Sequence, residues 1–134
     1  VATWHAYVTA NMGGDPFLAN ELPGIMVYST NAAAFTLNNS RIDGFQIRGA
    51  VAGGGIGIFN NVHNLGIRNN RITGNQGSFA GGICLGIQGN VGILYDNSNV
   101  TIERNEILKN GGVRGAGGTS RKMGPPESDR AASA

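Results

Sequence analysis

Apolar residues along this chain alternate with small or polar ones over stretches of three to five residues, and each stretch stops at a corner rich in asparagine and glycine. Residues 53–75, GGGIGIFNNVHNLGIRNNRITGN, show the pattern most clearly. Period-two alternation places side chains on opposite faces of a strand. No stripe at i, i+3, i+4 runs long enough to make an amphipathic helix. The alternation predicts strands near 55–59, 65–68 and 71–73, and a matching set near 82–86, 100–103 and 106–108. An earlier strand is expected in GIMVYST, with Ile25, Val27 and Tyr28 contributing to burial, and a further apolar run lies at Ala32–Leu37.

The pattern repeats. Ile42 and Ile47 stand five residues apart, as do Ile67 and Ile72, and Ile102 and Ile107. NLGIRNNRITGNQG (64–77) lies over NVTIERNEILKNGG (99–112) with six identities in 14 positions, and GGIGIF (54–59) lies over GGICLG (81–86) in the same order. A period of 25 to 35 residues marks an array of stacked units. With strands and not helices in each unit, the expected fold is all-β: a right-handed parallel β-helix, a three-sheet β-solenoid of about three to four coils.

Stacking at about 4.8 Å turns each repeat position into a column. The columns Ile42/Ile67/Ile102 and Ile47/Ile72/Ile107 are expected to fill the interior, together with the pairs Ile56/Ile83 and Ile58/Leu85. Asn70 over Asn105 is expected to form an internal asparagine ladder, each amide bonding the next coil. Phe45 occupies that column one coil earlier, where the ladder should stop or give way to aromatic packing. Asp43/Arg68/Glu103 and Gln46/Arg71/Glu106 read as solvated cross-coil columns, worth at most ~1 kcal/mol per pair.

Composition fits many short strands with sharp corners. The 23 Gly and 16 Asn are residues that tolerate left-handed backbone, in a chain that is 40% hydrophobic and only 13% charged. The net charge of +2 includes no basic patch, so nucleic acid is not an expected partner. No run of about 20 apolar residues provides a membrane span. No charged region followed by an apolar segment opens the chain, so a signal peptide is read as absent or removed. The single cysteine, Cys84, rules out an internal disulfide and a thiolate zinc cluster.

GxGIxI, NLxIxNNxIxxN and NVTIxxNxIxxNGG resemble the repeats of pectin-lyase-like right-handed parallel β-helix proteins. Residues 53–86 are similar, more narrowly, to part of a group of large secreted bacterial β-helix proteins without a settled activity. The resemblance covers roughly residues 35–118 and implies a secreted or cell-surface location. Residues 1–34 read as a weakly patterned N-terminal coil or cap. Residues 119–134, TSRKMGPPESDRAASA, depart from the pattern where a GGIxI strand is due, and read as a disordered tail. The chain is accordingly expected to be a fragment whose partners include flanking coils of a longer solenoid.

Many functions share such a scaffold, so chemistry has to be sought residue by residue. Polysaccharide lyases on it use an acidic calcium cluster with a basic residue, and hydrolases use close carboxylates. Only Asp15, Glu21, Asp43, Asp96, Glu103 and Glu106 precede the tail, and none neighbours another in sequence as a pair. His5 and His63 lack ligand-spaced partners, so no metal and no cofactor are expected. Cys84 has no basic neighbour to activate it and reads as an outward-facing small residue. The glycine clusters 53–55 and 111–118 lack the Lys-Ser/Thr pair of a phosphate loop and read as tight corners.

The expected ligand surface is the outer face of the first sheet. Gly57, Phe59, Cys84 and Gly86 should face outward there, flanked by Asn60, Asn61, His63, Tyr95 and Asp96, with Phe59 as an exposed ring able to stack on a sugar. The reading is a structural or carbohydrate-interacting scaffold with a polysaccharide partner, and catalysis within this segment is not expected. The alternative is part of a polysaccharide lyase or epimerase whose active residues lie partly outside this chain.

Overall fold

The computed structural model describes residues 6, 9–10, 22–28, 35–36, 40–59, 62–86, 97–112 and 119–121. Its strands fall into successive turns of one solenoid. The first turn contains β1 (Ile25–Tyr28), β2 (Phe35–Thr36), β3 (Arg41–Asp43) and β4 (Gln46–Arg48). The second contains β5 (Ile56–Phe59), β6 (Val62–His63), β7 (Gly66–Arg68), β8 (Arg71–Thr73) and β9 (Gln76–Gly77). The third contains β10 (Ile83–Leu85), β11 (Thr101–Glu103), β12 (Glu106–Leu108) and β13 (Gly111–Gly112), and β14 (Thr119–Arg121) opens a fourth.

Strands of successive turns pair in parallel, giving a first sheet β1-β5-β10-β14, a second β11-β7-β3 and a third β12-β8-β4. Two short parallel pairs, β13-β9 and β2-β6, complete the turns. The register sets Ile67 between Ile42 and Ile102, and Ile72 between Ile47 and Ile107. In the first sheet Ile56 pairs with Ile25 and Ile83, and Ile58 with Val27 and Leu85. These side chains, with Val62 and Leu65, form one apolar core down the axis. Ile25 and Val27 pack against it from β1, so the first sheet extends ahead of residue 35.

The corner between the second and third sheets is held by asparagine. Asn70 Nδ2 donates to Ile42 O (2.9 Å) and to Asn105 Oδ1 (3.0 Å), and Asn105 Nδ2 donates to Ile67 O (2.7 Å). A second ladder, absent from the sequence reading, stands one corner further on. There Asn75 Nδ2 donates to Ile47 O and to Asn110 Oδ1 (both 3.0 Å), and Asn110 Nδ2 donates to Ile72 O (2.9 Å). Asn70 and Asn75 are buried, so this bonding is what makes their burial tolerable.

Both ladders end in the first turn. Asn70 Oδ1 accepts from Phe45 N, and Asn75 Oδ1 accepts from Ala50 N. Aromatic packing inside the corner does not occur. The Phe45 side chain is 53% exposed, because a corner sized for a hydrogen-bonded amide has no room for a phenyl ring.

Each ladder residue follows a left-handed position. Gly44, Asn69 and Arg104 share one column at φ 77°, 53° and 55°, and Gly49, Gly74 and Lys109 share the next at 78°, 65° and 52°. Asn and Gly take this conformation readily, and Arg and Lys do so at a steric cost.

The reading of residues 119–134 as a disordered tail fails at its first three residues, since Thr119–Arg121 pairs with Ile83–Leu85. Pairing at an outer position of a sheet needs backbone hydrogen bonds on one side only, which a polar segment can supply. The remainder of that segment lies outside the described residues.

Candidate functional site

On the outer face of the first sheet, Met26, Gly57, Cys84 and Ser120 form one register column, and Tyr28 pairs with Phe59 in the next. The exposed ligand surface expected there is not found among the described residues. Phe59 is 0% exposed and Cys84 4%, and with Ala80 they form a second apolar cluster to which Leu22, Met26, Tyr28 and Phe79 contribute. Gly57 explains the arrangement. A Cβ at that position would stand 2.5 Å from Phe59 Cζ and 2.9 Å from Pro23 Cγ. The hollow left by glycine is filled by the phenyl ring of its own strand and roofed by Pro23. Phe59 therefore packs as a structural residue and offers no ring to a ligand.

The other expected ligand residues do not assemble into a site among the described residues. His63 lies on β6, half-buried, with Thr36 as its register partner. Asn61, Tyr95 and Asp96, and with them Asn60 and His5, lie outside the described residues. Gly86 is half-buried with a φ of 81°, and its N–H donates to Ile58 O (2.9 Å).

Among the described residues, exposed polar side chains stand on the outer side of the second and third sheets. Arg41, Gln46, Arg48, Arg71, Thr101 and Glu106 are exposed on it, and the ring of Phe45 stands at the corner between the two sheets. The charge columns of the sequence are ion pairs between turns: Arg68 Nε to Glu103 Oε1 and Arg71 Nε to Glu106 Oε2, each 3.0 Å. Asp43 is held within its own turn by Arg41 Nε (3.4 Å) and accepts from Asn69 Nδ2 (2.9 Å). Arg104 adds a second guanidinium to Glu103 at 3.2 Å. All three described carboxylates thus face guanidinium groups, as in surface ion pairing.

The sequence pattern marks Phe45 as the stop of a ladder and Gln46 as part of a solvated column, neither as a ligand contact, and does not mark Arg48. The available signal was the phenylalanine itself: a residue too large for an asparagine ladder has to turn outward. Among the described residues no group of three His, Cys, Asp or Glu is placed to hold a metal ion, and no helix is long and apolar enough to cross a membrane.

No curated protein and no solved structure matches the chain. A family model described as the right-handed beta helix region matches residues 10–120, which span the described strands up to Ser120. The coil-to-coil register, the parallel sheets and this match agree, and the chain belongs to the right-handed β-helix family.

Proposed function

We propose that this chain is a structural scaffold segment of a secreted or cell-surface protein, and that the outer side of its second and third sheets engages a polysaccharide. The observation that carries the reading is the composition of that side. An exposed aromatic ring, Phe45, stands beside the exposed amide of Gln46 and the guanidinium of Arg48 on a turn tied to its neighbour by the side chains of Asn70 and Asn75. A ring and planar donors on a rigid sheet match a sugar chain, which offers an apolar ring face for stacking and hydroxyl or carboxylate oxygens for hydrogen bonding. The secreted or surface location rests on the likeness of the repeat to large secreted bacterial β-helix proteins.

Glycan-array binding of the chain beside its F45A and R48A variants tests the proposal. Binding to a defined set of polysaccharides, weakened about tenfold by either substitution, is the expected outcome, since tenfold corresponds to roughly 1.4 kcal/mol of lost contact. Binding indifferent to both substitutions, or none to any glycan, sinks it. Release of unsaturated sugar product from a uronate polymer would favour the enzyme alternative.

A further inference from the structure

Of the 16 asparagines in the sequence, only Asn110 is followed by glycine. An asparagine–glycine pair is chemically labile. The glycine nitrogen has no Cβ beside it to shield it, and its backbone rotates freely, so it can attack the side-chain amide carbon of the residue before it. The other ladder asparagines, Asn70, Asn75 and Asn105, are followed by Arg71, Gln76 and Glu106, whose side chains crowd that approach.

The fold restrains this pair from the second turn. Gly111 N donates to Asn75 O (2.8 Å), which commits the attacking nitrogen to the neighbouring rung. Asn110 Nδ2, the group that would leave, donates to Ile72 O (2.9 Å), and Asn110 Oδ1 accepts from Asn75 N and Nδ2 (both 3.0 Å). Gly81 lies against the same peptide, since a Cβ added there would collide with the Gly111 backbone. All of these contacts run between described turns, so they act whatever lies beyond the third.

We infer that Asn110–Gly111 is a site of spontaneous covalent modification whose rate is set by local opening of the third rung from the second. In the opened rung Gly111 N bonds to Asn110 Cγ, the Cγ–Nδ2 bond breaks, and the side-chain nitrogen leaves as ammonia with the proton that Gly111 N gives up. Water then opens the cyclic imide at either carbonyl, leaving aspartate or isoaspartate at 110. The reaction needs no enzyme, metal or redox partner, and it does not depend on the glycan reading. Either product lacks the donor on which Ile72 O relies, and aspartate sets a carboxylate oxygen toward that carbonyl. Isoaspartate in addition lengthens the backbone at a corner whose register the repeat fixes. The ladder thus shields the residue whose conversion would dismantle it, and each conversion loosens the rung irreversibly.

The test incubates the intact chain at mildly alkaline pH, folded and in urea, and follows Asn110 by peptide mapping with aspartate and isoaspartate separated by chromatography. Conversion at Asn110 ahead of the other asparagines is expected, at least about tenfold slower in the folded chain because the bonds to Asn75 and Ile72 must open first. Gly111→Ala should halt it without disturbing the fold, since an added Cβ would come no closer than 3.7 Å, to Gln76 Cγ. Ile107→Ala, which loosens the rung without touching the ladder, should speed conversion about fivefold, in step with amide exchange at Gly111. Equal rates in the folded chain and in urea, no conversion at Asn110 in the folded chain, or a rate unmoved by either substitution overturns the inference. Glycan binding through Phe45 and Arg48 is read separately, so either proposal can fail while the other stands.

Discussion

Residues 64–77 and 99–112 are two versions of one rung. They place isoleucine and asparagine at the same points, turn at the same left-handed corners and bond through the same amides. Their interiors nevertheless differ. Ile67 and Ile72 are sealed between neighbours, while Ile102 and Ile107 have a described neighbour on one side only. A rung of this fold has no core of its own. Its burial, and most of its stability, comes from the rung on each side, as expected of a quasi-one-dimensional array.

The largest consequence concerns the isoleucines. Ile72→Ala should lower unfolding free energy by about 4 kcal/mol, and Ile107→Ala by roughly 1 kcal/mol, because only the first opens a closed cavity. Urea unfolding followed by circular dichroism would measure both, and equal losses would mean that the third rung is sealed as well as the second.

The asparagines sharpen the same comparison at smaller amplitude. Asn75→Ala leaves Ala50 N–H and Ile47 O without their partner in a dry corner and removes one of the two donors to Asn110 Oδ1, for a loss of about 3 kcal/mol. Asn110→Ala strips the last described rung of the ladder, which is half-buried and where water can replace the lost bonds, and should cost about 1 kcal/mol. Amide exchange at Ala50 and Asn75 would show which bonds open in each variant.

The corners give the smallest effect and the cleanest sign. Gly74 and Lys109 share a left-handed column, and a Cβ on Gly74 would meet nothing within 4 Å. Gly74→Ala should therefore destabilise by about 1 kcal/mol through backbone strain alone. Lys109→Gly should stabilise by a few tenths of a kcal/mol, since relief of strain is partly offset by the greater freedom of unfolded glycine. Thermal midpoints moving in the same direction for both variants would count against this account of the corner.

Much of the fold was legible because the repeat is a register. Once Ile67 is set beneath Ile102, the five-residue spacing fixes Ile72 beneath Ile107, and the charge columns follow. The ladder at Asn75 and Asn110 was equally available, as those positions are identical in the aligned segments; the pairing was visible and its hydrogen bonding was not drawn from it. The candidate site was far less legible. Alternation gave the side of the sheet on which Phe59 and Cys84 lie, but it carries no information about a roof. The roof comes from Leu22, Pro23, Phe79 and Ala80, which are distant in sequence from one or both of those residues and follow no repeat.

By itself, then, the order of residues determined the rung: which side chains enter the axis, where the chain turns and which turn lies over which. Local alternation and glycine or asparagine corners act over a few residues, and the repeat copies them. Only the tertiary arrangement decided what is covered. Burial of Phe59, exposure of Phe45 and the half-open state of Ile102 and Ile107 depend on what packs from elsewhere in the chain. Solvent access is a property of neighbours in space, and a repeat specifies those neighbours only along its own axis.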